Sequence, residues 1–419
     1  MKLRMIFTGL LLGAAVTLQA QVTIGGSVDM SIVPFQLVQG DEYTTADGTT
    51  NRHPNTMGAG IGGILHDGGP RIRLDARAAN ADHRIGMRLR FQATAPGPGM
   101  SIGGENFVQA WWSPLEQLRL DVGRFDDDRL RGRIGQDEMG MFTNIMFDQD
   151  AIFTRLRVRN GLMLSATPVD GLLLAASLRE LVNFNYTSTV GGTVFGGDGA
   201  ASPAPGGSNR VANRRENGDA WRNMTFAVGY TIPDIGTIRV QYIGDVPHAG
   251  APRITRDNDV ELAFALTAVD GLLLDLGGKL HFVYAMDDPN FAFSLGARFR
   301  ADALEIIGRV DTQIGRVLTG AVATANPTYV ASNDLLRLNA HIWPSLQLDA
   351  TRVILNFGID YMEMPSGTDD RIDMGVGLSL QRNFVGNTRV RGGVGLAIPM
   401  DSSGRGMTFT VPLFLDYSF

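Results

Sequence analysis

The sequence contains no cysteine, which excludes disulfides, thiolate metal sites, a cysteine nucleophile and a lipidated N-terminal cysteine. Lysine is nearly absent too, because only Lys2 and Lys279 occur, so the basic residues are almost all arginine. The formal net charge is -6 at pH 7, which gives no argument for binding nucleic acid. We therefore expect no nucleic-acid partner.

Long apolar runs are also lacking. No stretch after residue 21 approaches the roughly 18 uninterrupted apolar residues of a transmembrane helix. At the N-terminus, Lys2 precedes an apolar run at 5–18 that is too short to span a bilayer, and Ala20 offers a small residue for cleavage. We expect residues 1–20 to be a signal peptide, with a buried N-terminal helix as the alternative.

What the remaining chain has in abundance is alternation of apolar and polar residues, which is typical of β-strands. In RIDMGVGLSLQ, residues 371–381, the even positions are apolar and the odd positions are polar or glycine. HRIGMRLRFQA, residues 83–93, alternates in the same way. Several such segments reach ten residues, which exceeds the usual strand length of about five or six. Long antiparallel strands are therefore predicted along most of the chain.

Short turn signals and long polar connections alternate between these segments. We predict short turns at 80–83, 113–116, 168–171, 233–236, 268–271, 301–304, 344–345 and 383–388. The longer connections lie at about 33–69, 126–150, 182–221, 245–258 and 316–332. TPVDGLLL at 167–174 and TAVDGLLL at 267–274 indicate that one hairpin turn is used twice. Within 346–361 the apolar positions change from even to odd, which we attribute to a bulge near Thr351–Arg352.

The arginines of the polar face indicate that the apolar face points outward, into lipid. Nine of them lie on the predicted strands, and we expect them to line a pore: Arg71, Arg73, Arg77, Arg84, Arg88, Arg90, Arg155, Arg157 and Arg159. The dry core of a β-sandwich would not hold these charges without partners, whereas a wet lumen hydrates them. An alternative role is structural pairing with carboxylates of the lumen: Asp75, Asp121, Asp311 and Asp373.

We predict an all-β fold in which residues 21–419 form one transmembrane antiparallel β-barrel. Eight short turns, a first strand at 22–32 and a last strand at 407–419 give about 18 strands, with 16 as the alternative. The sheet must close, because lipid tolerates no open sheet edge. Short turns would face the periplasm and long loops the outside. The loop at 182–221 is rich in glycine, serine, alanine and proline, so we expect it to be mobile and exposed.

The pattern resembles the bacterial outer-membrane porins of the general-diffusion type. The resemblance rests on VTIGGSVDMSI at 22–32, on ENFVQAWWSPLEQLRLDVGRF at 105–125 and on the last strand, MTFTVPLFLDYSF. It implies a location in the bacterial outer membrane, contact with its lipid and assembly as a homotrimer as one option. It also implies that the barrel-assembly machinery recognises the last strand, with Tyr417 and Phe419 as the signal.

In that family the loop after the fifth strand folds into the barrel and narrows it. The resemblance implies the same for 126–150, whose charged residues include Asp126, Asp127, Asp128, Arg129, Arg131, Arg133, Asp137 and Glu138. Such a loop, opposite the arginines of the second and third strands, would create a transverse field. The alternative is a loop that lies outside with solvated charges. Lumen arginine favours anions, whereas the acidic loop argues the other way.

Other chemical signals are weak. GAGIGG at 58–63 matches a dinucleotide-binding glycine pattern, but no helix-forming sequence follows it. The six histidines lack metal-ligand spacing, and no catalytic serine, histidine and aspartate arrangement is visible. We therefore expect no metal, no cofactor and no enzymatic activity.

The predicted function is passive diffusion of small hydrophilic solutes or ions through a water-filled, arginine-lined lumen. Three alternatives stay open: a surface adhesin or structural barrel with a blocked lumen, a solute-specific uptake channel, and a soluble secreted β-protein.

Overall fold

The computed structural model describes residues 21–45, 47–61, 71–94, 101–102, 107–127, 129, 156–178, 224–246, 257–282, 289–315, 318–319, 330–331, 335–363, 370–384, 387–401 and 404–419. The predicted signal peptide at 1–20 lies outside these residues. So do the predicted mobile part of 182–221 and nearly all of the predicted inward loop.

Eighteen long antiparallel strands form the wall of a closed barrel, and strands that are consecutive in the chain are neighbours in the sheet. They are β1 (Gln21–Val38), β2 (Arg71–Ala79), β3 (Ile85–Thr94), β4 (Phe107–Leu115), β5 (Leu118–Asp127), β6 (Leu156–Ala166), β7 (Leu172–Leu178), β8 (Met224–Ile232), β9 (Gly236–Val246), β10 (Asp257–Val269), β11 (Leu272–Phe282), β12 (Asn290–Ala301), β13 (Leu304–Gly315), β14 (Leu335–Leu348), β15 (Thr351–Met362), β16 (Arg371–Phe384), β17 (Thr388–Pro399) and β18 (Thr408–Ser418).

Two short segments complete this sheet. Thr56–Ile61 pairs with the end of β1 beyond β2, and Ser101–Ile102 pairs with the end of β3 beyond β4. Each short segment therefore extends the position of β2 or β4 in the sheet and does not add a strand to the barrel. The prediction of 18 strands is confirmed, and the alternative of 16 is not. Glu42–Thr44 pairs with Thr50–Arg52 in a separate hairpin. Among the residues described above, no helix has the length and apolarity needed to cross a membrane.

The barrel closes between its first and last strands. β1 pairs antiparallel with β18 along most of its length. Beyond β18, the backbone N–H of Phe419 donates to the carbonyl of Gly26 and the N–H of Gly26 donates to the carbonyl of Phe419, both at 3.0 Å. Closure matters because an open edge would leave unpaired backbone groups in lipid.

The closing seam has one irregularity, at its prolines. The register of β1 against β18 shifts between Ile32 and Phe35, around Pro34 and opposite Pro412. Proline has no N–H to donate to the ladder, so it is tolerated in a sheet at bulges and edges. The register shift opposite Pro412 accommodates the missing donor in this way.

The two faces of the strands divide as the alternation predicts. On β16, Leu378 and Leu380 are exposed on the outer face, whereas Ser379 and Gln381 are buried on the inner face. Exposed large apolar residues occur around the barrel, for example Leu74, Phe91, Leu262, Phe293, Ile342 and Phe357. An apolar outer band around a closed sheet is the arrangement of a transmembrane β-barrel, in which lipid covers that band.

Tight turns join the strands at one end, called here the short-turn end. Most of these turns contain a residue with left-handed φ: His83, Gly171, Asp234, Gly271, Asp302, Asp349 and Asn387. Glycine adopts this conformation without strain, and asparagine and aspartate do so more readily than most residues. Gly171 and Gly271 occupy equivalent places in the two VDGLLL copies, which confirms that one turn is used twice.

The turn predicted at 344–345 is wrong. Trp343, Pro344 and Ser345 lie inside β14, and the chain turns at Asp349–Ala350. Proline usually ends a central strand, but here the register between β14 and β15 is the same on both sides of Pro344. The change from even to odd apolar positions is therefore the turn itself, and the predicted bulge near Thr351–Arg352 is wrong as well.

Two strands are longer than predicted. β1 continues past residue 32 to Val38, because both β18 and Thr56–Ile61 supply pairing partners for the extension. β5 continues to Asp127, because the start of β6 pairs with it. Asp126 and Asp127 thus belong to the barrel wall, and the predicted boundary of the inward loop at residue 126 is corrected.

Candidate functional site

The inner face of β1 to β3 holds ion pairs. Arg71 Nη2 lies 2.5 Å from Asp29 Oδ2. Arg88 and Arg90 share one carboxylate oxygen of Asp75, at 3.1 and 2.8 Å. Three of the arginines predicted to line the pore are thus on the inner face, and they also pair structurally with carboxylates. For these three residues the structural pairing with carboxylates that the sequence suggests as an alternative is observed.

The remaining described arginines of this group differ in their surroundings. Arg73 donates to Gln92 Oε1 at 3.1 and 3.3 Å. Arg84 lies in the turn before β3, 3.7 Å from Asp82 and 3.4 Å from Glu116. It is exposed at the short-turn mouth of the barrel and is not part of the wall. Arg155 and the side chains of Arg157 and Arg159 fall outside the described residues.

The predicted constriction loop is described only at its start. Arg129 Nη2 lies 2.5 Å from Asp127 Oδ2, and Arg129 Nη1 donates to Ser165 Oγ on β6 at 3.2 Å. These contacts tie the beginning of the connection to the barrel wall. The other predicted loop residues lie beyond the described part: Asp128, Arg131, Arg133, Asp137 and Glu138.

Aromatic rings on the inner face of β4 support several arginines. The guanidinium carbons of Arg88 and Arg90 lie 5.9 and 4.7 Å from the centre of the Phe107 ring. Those of Arg77 and Arg119 lie 5.1 and 4.9 Å from Trp111. Contacts of this geometry are cation–π interactions, which hold a cation without neutralising it. The sequence gives one indication of this arrangement: Phe107 and Trp111 are an even number of residues apart on one strand and therefore lie on the same face.

The two adjacent tryptophans point in opposite directions, as a strand requires. Trp111 is buried inside, and its Nε1 donates to the carbonyl of His83 at 3.0 Å. Trp112 is exposed on the outer face. The outer ring suits the membrane interface.

In most interior ion pairs the carboxylate lies deeper than the cation. The side chain of Asp121 is 0% exposed, whereas its partner Arg119 is 34% exposed. For Asp416 and Arg389 the values are 18% and 38%. Arg90, Arg239 and Arg309 reverse the order, each being more buried than its partner. Most of the charge that the described inner face presents to the lumen is therefore guanidinium.

A cluster around Glu305 lies near the short-turn end, and we call Arg298, Arg300, Glu305, Ser345 and Arg352 the Glu305 cluster. Arg300 Nη2 lies 2.5 Å from Glu305 Oε1, Arg298 Nε lies 3.7 Å from it, and Arg352 contacts Oε2. Arg352 Nη2 also donates to Ser345 Oγ at 2.7 Å. No local pattern in the sequence indicates this cluster, because the register between strands decides which side chains meet.

The inner face of β5 to β8 is apolar over part of its area. Phe125, Val158, Met163, Ala175 and Ala227 are buried against one another on adjacent strands. Outer-membrane barrels usually have a polar interior, so alternation alone would predict polar residues here. The patch shows that the inner face of this barrel is not uniform.

Metal chemistry has no support in the described ranges. They contain no group of three or more histidine, aspartate or glutamate side chains placed to hold a metal ion. His281 Nδ1 lies 2.5 Å from Asp259 Oδ1, and Lys279 Nζ lies 3.4 Å from Asp259 Oδ2. These three residues form another ion-paired group on the wall.

Several solved bacterial structures are similar to this barrel. OpdL of Pseudomonas aeruginosa is 12% identical, with a TM-score of 0.50 over 94% of this chain and 98% of that one. The chain shares its fold, a closed antiparallel β-barrel, with OpdL. OccK2 (OpdF) in complex with glucuronate, also from Pseudomonas aeruginosa, is 13% identical over 94% and 98%, with a TM-score of 0.49. An anion-selective porin from Comamonas acidovorans is 11% identical over 96% and 100%, with a TM-score of 0.42.

These likenesses concern the fold alone, because the identities are low. No protein-family model matches the sequence. No curated protein matches it significantly either. The resemblance to outer-membrane porins that the sequence indicates is thus confirmed as a likeness of architecture.

Proposed function

We propose that the chain is a porin of the bacterial outer membrane that allows passive diffusion of small hydrophilic solutes or ions. The observation that carries the proposal is the division of the wall into two faces. The outer face exposes large apolar side chains, for example Leu378, and the inner face collects charged side chains, for example Arg88 and Asp75. Lipid suits the first face and water the second.

The charges argue for a hydrated interior. Arg300 on the inner face keeps 64% of its side chain exposed, and Arg119 keeps 34%. An exposed guanidinium in a dry cavity would lose its hydration without compensation, which costs several kcal/mol or more. Water in the lumen removes that cost, and a continuous water column would also conduct ions. The proposed role is therefore transport, with no catalytic step.

Conductance measurements test the proposal. The refolded protein, inserted into a planar lipid bilayer in KCl solution, is expected to open in discrete, ohmic steps. A matched control is the same preparation after heat denaturation, which should give none. A folded, inserted protein without conductance would contradict the pore and favour a structural barrel or adhesin with a blocked lumen. Saturable block by a single solute would instead favour a solute-specific channel.

We also propose, from the family resemblance, that the connection after β5 narrows the pore. The contacts of Arg129 with Asp127 and Ser165 anchor its start, so a deletion of 131–150 leaves the anchor in place. This deletion is expected to enlarge the single-channel conductance. Deletion of an equal length from 182–221 is the control and should leave conductance unchanged. An unchanged value for the first deletion would mean that the connection lies outside.

Assembly into the membrane is proposed to depend on the last strand. The hydrogen bonds of Phe419 with Gly26 close the seam, and a Cβ on Gly26 would come within 2.6 Å of the Phe419 ring. Removal of Phe419 should therefore lower the amount of assembled barrel in the outer membrane more than it changes the conductance of assembled molecules. Tyr417→Ala is a comparison, expected to have a smaller effect. Assembly as a homotrimer is proposed from the resemblance, and native mass spectrometry of the purified protein tests it.

A further inference from the structure

We propose that the Glu305 cluster, together with Arg391, is an anion subsite at the short-turn mouth and makes the pore prefer small anions to cations. The inference rests on the proposed pore function and names its preferred solute class. The ligands would be chloride and small carboxylate or phosphate ions, because guanidinium groups bind such oxyanions through paired N–H donors.

Unequal numbers of charges are the first argument. Arg300 and Arg352 both bond to Glu305, which is the only carboxylate within ion-pair distance of either in the described part of the chain. Arg391 donates to the neutral amide oxygen of Gln381, at 3.1 and 2.7 Å. Arg298 lies 3.7 Å from the same carboxylate, so the cluster and Arg391 together contain four guanidinium groups and one carboxylate. The cluster has an excess of positive charge.

Strand register makes these residues one continuous surface. Gln381 on β16 pairs with Arg352 on β15 and with Arg391 on β17. Arg300 and Glu305 pair across the turn between β12 and β13, and Glu305 pairs with Ser345 on β14. The positive groups therefore extend along the inner wall from β12 to β17, at one level near the short-turn end. A solute that passes through the lumen must cross this level.

Exposure decides which charge a solute meets. Within the cluster, Arg300 is 64% and Arg352 28% exposed, whereas Glu305 is 9% exposed. The carboxylate lies against the wall and holds the arginines from behind. Each guanidinium has five N–H donors, and the contacts with Glu305 and Ser345 use only some of them. The remaining donors are available to an anion, and the low-dielectric wall focuses their field into the lumen.

The reversal potential in a KCl gradient tests the inference. We expect wild-type protein to pass chloride more readily than potassium. Replacing Arg300, Arg352 and Arg391 together by glutamine should lower the chloride-to-potassium permeability ratio by about threefold or more, because each change removes one unit charge near the path. Glu305→Gln, which removes the negative charge alone, should raise the ratio. Single arginine variants keep the test valid if the triple variant folds poorly.

The control is Arg382→Gln. Arg382 follows Gln381 on β16 but points to the outer face, where its guanidinium lies 5.5 Å from the Phe384 ring. This change removes the same charge at the same level outside the lumen, so the permeability ratio should stay at the wild-type value. The anion preference should also weaken at about 1 M salt, where charges are screened within about 3 Å.

Inorganic phosphate gives a second readout. Added at the short-turn side, it should reduce the potassium chloride current of wild type more than that of the triple variant. A wild-type pore that prefers potassium, or a triple variant with the selectivity of Arg382→Gln, would overturn the anion subsite while leaving the pore intact. Absence of conductance in every folded protein would overturn the pore and this inference with it.

Discussion

The inner wall of β5 to β8 and the inner wall of β12 to β17 share one strand geometry and differ in the balance of their chemistry, although the second also buries an apolar cluster of Ile307, Trp343 and Ile354. The first buries Phe125, Val158 and Met163 against small residues. The second holds arginines in contact with carboxylates. The side chain of Arg300 is 64% exposed there, whereas that of its partner Glu305 is 9% exposed. The outer faces of both walls are mostly apolar, with Arg382 of β16 as an exception. The alternating pattern therefore gives apolar outer faces in both walls, whereas the polarity of the inner side chains differs from one wall to the other.

The two walls differ in what they contribute to the protein. A buried apolar cluster stabilises the barrel in proportion to the apolar area it removes from water, at about 25 cal/mol per Å². An exposed ion pair contributes only about 0–1 kcal/mol, because water screens it. We infer that the apolar wall mainly stabilises the barrel and that the arginine wall mainly sets the electrostatic field of the lumen.

The largest expected effect concerns the apolar wall. Phe125→Ala removes a ring that is 1% exposed, and it should lower the free energy of unfolding by about 3–5 kcal/mol. Leu174→Ala, on the outer face of β7, is the control and should cost less because lipid fills the space. Urea unfolding in lipid vesicles, followed by tryptophan fluorescence, measures both. Equal losses would contradict the inner packing of this wall.

The assignment of the two faces of the arginine wall can be tested by introducing an arginine at neighbouring positions of β16, one on each face. Leu378→Arg places a charge on the lipid face and should cost about 2–4 kcal/mol if the position is near the bilayer centre. Gly377→Arg, on the inner face of the same strand, should be milder. Unfolding free energies in vesicles distinguish the two variants. The reverse order would overturn the assignment of the faces.

A buried carboxylate on the apolar wall, Asp121 of β5, should matter more than the partly exposed Asp75 of β2. Asp121 accepts from Gln109 Nε2 at 2.8 Å and from Arg119 Nη2 at 2.6 Å, and its side chain is 0% exposed. Asp121→Asn should therefore cost about 2 kcal/mol of unfolding free energy. Asp75→Asn, at a site with 28% exposure, should cost less. Similar losses of unfolding free energy for the two variants would contradict the idea that burial makes Asp121 the more important carboxylate.

The smallest effect concerns the repeated turn, which occurs once in the apolar wall at Gly171 and once between the two walls at Gly271. Gly271 has a φ of 72°, and a Cβ there would lie 2.3 Å from the carbonyl oxygen of Arg300, so Gly271→Ala should cost about 1–2 kcal/mol through backbone strain and crowding. Gly278→Ala is the matched control on β11, because a Cβ there meets no atom within 4 Å. Thermal or urea unfolding compares the variants. A neutral Gly271→Ala would mean that the turn relaxes.

Much of the architecture could be predicted from local pattern. Alternation with period two indicates the strands and their outer faces, and turn residues such as Gly171 and Asp302 indicate the short-turn end. The turn at 344–345 is wrongly predicted from Pro344. The free-energy cost of a proline within a strand depends on whether the neighbouring strands tolerate a missing N–H donor, which the local sequence does not show. The Glu305 cluster and the rings beneath the arginines could not be predicted, since they join side chains from different strands.

The sequence by itself determined the all-β class, the number of strands and the direction of the apolar face, because side-chain alternation is a property of each strand alone. Only the tertiary structure decided which inner residues meet. Register across the sheet brings Glu305 to Ser345, and closure brings Gly26 to Phe419 from opposite ends of the chain. A shift of one residue in any ladder would turn every inner side chain of that strand outward, so the contacts of the lumen exist only once all ladders are in register.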